Sequence, residues 1–68
     1  MTVRLFFKTG DKTFSEKDSI ELEFRPFEGD VLHHQGNRYL IRLVEYGAPV
    51  NGKQTISAFL TTAPATIE

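Results

Sequence analysis

Between Phe27 and Ile41, short apolar runs are separated by two glycine-centred turns, Glu28-Gly29-Asp30 and Gln35-Gly36-Asn37. Turns this close together leave no room for a helix of several turns between them, so the segment reads as tightly connected β-strands. The rest of the chain agrees. Val3, Leu5 and Phe7 alternate with Arg4, Phe6 and Lys8, and Ile20, Leu22 and Phe24 alternate with Glu21, Glu23 and Arg25. This period of two is that of a strand with one buried face. Pro26 ends or bends the second strand, because proline cannot donate to a ladder. No stretch carries a helical period over three turns, although Ser15 to Asp18 is able to form a single capped turn.

Five strands are therefore expected: near residues 3–8, 20–25, 31–34, 38–46 and 53–62. Thr9 to Ser19 reads as a long polar loop interrupted by Phe14, and Gly47 to Gly52 as a further loop. In the fourth strand Leu43 and Val44 are both apolar, which breaks the alternation set by Tyr39 and Ile41. A β-bulge near Arg42-Leu43 restores Val44 to the inner face and bends the strand, as closure of a small barrel requires. The expected fold is all-β, a five-stranded SH3-like open barrel formed by residues 1–62, with 63–68 as a flexible tail. An OB-like barrel or a meander sheet is the alternative. A β-grasp arrangement, suggested by the opening strand, is set aside because no long amphipathic helix follows.

The core is expected to contain Val3, Leu5, Phe7, Ile20, Leu22, Phe24, Val31, Tyr39, Ile41, Val44, Ile56, Ala58 and Leu60. Outward-facing Arg4 and Lys8 on the first strand are expected to lie across from Glu21 and Glu23 on the second.

With 68 residues the chain makes one domain, and its lack of cysteine excludes disulfides and thiolate metal sites. A chain this short buries only about 60% of its unfolded surface, which leaves self-association as one route to extra stability. No secretory signal or membrane-length apolar run is present, and the expected location is the cytoplasm. The initiating methionine is read as the start of a complete, free-standing protein.

The side chains that carry chemistry are sparse. His33 and His34 are adjacent, so on a strand they point to opposite faces and do not share one ion. Ser15, Ser19 and Ser57 have no oriented base beside them, and no glycine loop cradles a phosphate. The expectation is a non-enzymatic protein without cofactor or metal.

Two kinds of surface remain. Arg25, Arg38 and Arg42 with Phe6, Tyr39, Tyr46 and Phe59 resemble the basic, aromatic groove on which small barrels stack single-stranded nucleic acid. The net charge of −1 argues against it, since phosphate binding needs a basic face. The preferred site is an aromatic protein-binding surface of Phe14, Phe6, Phe59 and Tyr46 with Arg42 beside them. Phe14 stands in a polar segment, and Phe6 and Phe59 are out of phase with their strands' buried faces. The expected function is thus a non-catalytic protein-binding module whose partner is another protein or a second copy. Small barrels of this kind serve as accessory or inhibitory proteins of phages and mobile elements. Single-stranded nucleic-acid binding is the alternative, and a structural or assembly subunit is the second alternative.

Overall fold

A computed structural model describes residues 1–63 of the chain. It is all-β: five strands and no helix form one strongly curled sheet, a half-barrel, as a small five-stranded open barrel requires. The strands are β1 (Thr2–Lys8), β2 (Phe14–Glu21), β3 (Val31–His34), β4 (Asn37–Tyr46) and β5 (Ile56–Thr62). They lie side by side in the order β2-β1-β5-β4-β3. Neighbouring pairs are antiparallel except β1 and β5, which run parallel at the centre of the sheet. Among the described residues no helix is long and apolar enough to cross a membrane.

β2 and β3 are opposite edges of the sheet, and the segment joining them crosses the open side of the half-barrel. Even a flat sheet of five strands spans only about 19 Å over its four gaps, and the curl shortens that distance. The nine residues 22–30 reach about 32 Å at full extension, so the crossing is long enough with slack for bends. Both ends are fastened. The Met1 ammonium and the Leu22 N–H each donate across β1 and β2, to Leu22 O and Met1 O. At the other end the Gly29 N–H donates to Ile41 O, and the Ile41 N–H donates to Asp30 O. Pro26 is buried midway. The turn into β3 places Gly29 at φ +92°, and the Asp30 N–H closes it on Phe27 O. That is the position of a type II turn that favours glycine.

The core lies on the concave face. Val3, Leu5, Ile41, Ile56, Ala58 and Leu60 are buried, and Phe7, Ile20, Leu22, Leu32, Tyr39 and Val44 pack around them. The bulge in β4 falls where the alternation failed, between Ile41 and Leu43, and it returns Val44 to the core opposite Ala58.

Several expectations require correction. Phe24 is not a core residue: β2 ends at Glu21, and Phe24 stands on the crossing segment with 78% of its surface exposed. Val31 is exposed and Leu32 is inside. The reason is register, for Leu32 lies opposite the inward-facing Tyr39. The expected loop at residues 9–19 is mostly strand, with only a short turn bridged from the Thr9 N–H to Thr13 O. Arg4 finds Glu16 rather than Glu21 or Glu23, through two hydrogen bonds of 2.8 and 2.6 Å. Glu21 instead accepts from Thr2 and meets the N-terminal ammonium. The β3–β4 turn is narrower than Gln35-Gly36-Asn37: the positive φ angles belong to Gln35 and Gly36, and Asn37 already pairs with His34. β5 begins at Ile56 rather than residue 53; within the preceding loop Val50 and Lys53 exchange backbone hydrogen bonds around Asn51-Gly52. Of the expected tail, Ala63 donates its N–H to Arg38 O, and residues 64–68 lie outside the described residues.

Candidate functional site

A second β-bulge, between β1 and β2, decides which aromatic side chains share a face. Leu5 pairs with Asp18 but Phe6 pairs with Glu16, so Lys17 is the extra residue. Without it, Phe14 and Glu16 keep the parity of Ile20 and face inward. With it, both turn to the convex face, and Ser15 takes the inward position opposite Phe7. Glu16 thereby reaches Arg4, and Phe14 reaches Phe59.

Three of the expected site residues form one cluster on that outer face. The Phe6 and Phe59 rings stack at 4.7 Å between centroids and 19° between planes. Their proximity follows from parallel pairing of β1 with β5, in which they are direct partners. Phe14 meets Phe59 edge-on at 5.5 Å and 85°, and the Arg4 guanidinium lies 5.4 Å from the centre of the Phe6 ring. The β4 bulge supplies the next member. Leu43 faces outward opposite Phe59 and remains 42% exposed. A shallow recess of about 480 Å³ runs between Phe14 and Leu43, with Phe59 and Thr61 lining it and Lys8, Asp11, Arg42 and Glu45 around it. Arg42 thus lies beside the three phenylalanines, and Leu43, which the expected bulge turns outward, was not named among the site residues.

Tyr46 stands apart from this cluster. It pairs with Ile56, two places beyond Val44 on the core side, and it faces Arg25 at 5.2 Å. Arg25 also lies 5.0 Å over Phe27. Arg25 and Phe27 therefore form, with Tyr46, a second aromatic surface on the crossing segment, where Phe24 also stands exposed. Sequence reasoning missed it because Phe24 continued the alternation of Ile20 and Leu22.

Electrostatics on the outer face is local. The hydrogen bonds from Arg4 hold the Glu16 carboxyl below the ordinary glutamate range, with the guanidinium charge adding to the effect. Glu21 is lowered too, first by the Thr2 hydroxyl and then by the N-terminal ammonium.

The two histidines divide as their adjacency requires. His33 is exposed, and His34 turns inward beside Phe7. His34 Nε2 lies 3.1 Å from an Asp18 carboxylate oxygen, which joins β3 to β2 across the open side of the half-barrel. Among the described residues no group of three or more His, Cys, Asp or Glu side chains is placed to hold a metal ion.

No family model, curated protein or solved structure matches the chain.

Proposed function

We propose that this chain is a non-catalytic protein-binding module that acts through the convex surface of Phe6, Phe14, Phe59, Leu43 and Arg42. One observation carries the reading. A mutually packed aromatic cluster lies on the face opposite the core, outside the buried core cluster. Packed rings are rigid, so they lose little freedom when covered, and aromatic and arginine anchors dominate interface energies. The surrounding charges are balanced, with Lys8 and Arg42 against Asp11 and Glu45. A balanced rim suits a protein better than a phosphate backbone, which needs an excess of cations. An accessory or inhibitory role in the cytoplasm accords with a small barrel that works by covering a site on a larger partner.

Capture from a lysate of the native host, with and without nuclease, tests the proposal. Partners should survive nuclease and 0.5 M salt (roughly three times physiological ionic strength, where exposed charges are strongly screened), and Leu43→Ser should release them without unfolding the protein. Loss of every partner on nuclease treatment would transfer the reading to single-stranded nucleic acid. If the captured species is the chain itself, by sedimentation over a concentration series, the surface serves self-assembly.

A further inference from the structure

The crossing segment carries a surface that the convex cluster does not explain. Phe24 is 78% and Phe27 55% exposed, and Tyr46 is exposed beside them. Exposed aromatic area gathered in one place, as Phe27 and Tyr46 are gathered around Arg25, marks a candidate contact surface. The segment is not a loose loop, since it is fastened at Leu22, at Gly29-Asp30 and by the buried Pro26.

Its polar centre is Arg25. The guanidinium lies over the Phe27 and Tyr46 rings, 5.0 and 5.2 Å from their centres. Among the described residues it meets no carboxylate at ion-pair distance, unlike Arg4, whose fork is taken by Glu16. Ring contacts use no N–H of a guanidinium, so Arg25 keeps its donors for a planar, bidentate acceptor. A recess of about 320 Å³ adjoins it, lined by Arg25, Pro26, Phe27, Glu28, Val44 and Tyr46. That volume suits one large side chain. Glu28 on the wall and Glu23 on the same segment disfavour a ligand of high negative charge.

We infer that Arg25, Phe27 and Tyr46 form a receptor for the C-terminal residue of a partner chain, one with a large apolar side chain. The terminal carboxylate takes the N–H donors of Arg25, and the side chain occupies the recess. Within one residue such a terminus supplies the single planar anion and the adjacent apolar group that the site offers to bind. A run of phosphates is disfavoured by Glu28 on the wall.

The test is a titration of the whole protein with N-acetylphenylalaninate, followed by the NMR signals of the Arg25 side-chain N–H and the Phe27 and Tyr46 rings. Saturable shifts confined to this patch are expected. The neutral analogue N-acetylphenylalaninamide should bind at least fivefold more weakly. Arg25→Gln should abolish the preference for the carboxylate and Arg25→Lys should weaken it, while the backbone spectrum stays folded. Equal binding of acid and amide, or a preference that persists in Arg25→Gln, overturns the assignment. Phenyl phosphate binding more tightly than the carboxylate also overturns it, in favour of a phosphate ligand. The convex-face variant Leu43→Ser should titrate as the parent does; a loss of binding there overturns the separation of the two surfaces.

Discussion

Replacing Phe14 by serine separates what that ring does for the fold from what it does for a partner. Phe14 is half-buried on edge strand β2 and touches Phe59 edge-on at 5.5 Å. Full burial of a phenylalanine is worth about 1.5–3 kcal/mol, so half-burial is worth about 1. The edge-to-face contact adds about 0.5–1.5 kcal/mol. The expected cost is therefore about 2 kcal/mol, which for a domain of this size lowers Tm by about 8–16 °C. Thermal and urea unfolding followed by circular dichroism measure it. A parallel cycle with Phe59→Ala should return a coupling of about 0.5–1.5 kcal/mol between the two rings. On the functional side, partner affinity corrected for the folded fraction should fall by about 2 kcal/mol or more. A stability loss above about 4 kcal/mol, the scale of a buried truncation, would refute the reasoning by showing that Phe14 is a core residue. A stability loss near zero would refute the ring contact itself, and unchanged affinity would remove Phe14 from the interface.

The remaining predictions concern the core, the outer-face charges and one turn. Leu60→Ala, at a fully buried site, should cost about 2–5 kcal/mol, whereas Phe24→Ser should change stability by less than about 0.5 kcal/mol; urea midpoints that reverse this order would restore Phe24 to the core. Glu16 titrates below its ordinary value because it accepts from Arg4, so its contribution is present above the unfolded carboxylate pKa of about 4.3 and is lost as pH falls through the lower folded value. Glu16→Gln should accordingly flatten the acid limb of the stability–pH curve, and an unaltered limb would show that the pair does not form in solution. Gln35 holds φ 51° in a two-residue hairpin turn closed by Gly36. Asparagine suits that position better, so Gln35→Asn should raise stability by about 0.5 kcal/mol, and a lower Tm would contradict the turn geometry.

What could be read from the sequence was whatever depended on local periodicity. The strand character of residues 3–8 and the fourth-strand bulge both leave a mark within a few residues. Pairing partners leave no such mark. The parallel contact of β1 with β5 brings Phe6 against Phe59 across more than fifty residues, and no pattern near either residue announces it. Phe24 and Val31 were misplaced for a related reason. Each continues a local alternation that the chain abandons, Phe24 because the strand has ended and Val31 because its phase is set by Tyr39 across the hairpin. Arg25 and Tyr46 show the same limit, since their contact joins the crossing segment to the end of β4.

The two bulges connect the fold to its surface. A regular β2 would turn Phe14 inward and leave the outer face with Phe6 and Phe59 alone. A regular β4 would bury Leu43 and expose Val44. One extra residue in each strand, Lys17 in β2 and one within Ile41–Leu43 of β4, reverses the parity of everything beyond it. Both reversals fall on the flanks of the central β1–β5 pair, and they bring Phe14 and Leu43 to opposite sides of Phe59. The same irregularities increase local coiling, which is what curls five short strands around a core this small. Closure of the barrel and assembly of the convex aromatic cluster are therefore consequences of the same two insertions. Smoothing either strand to perfect alternation would cost the molecule its curl and its candidate binding face together.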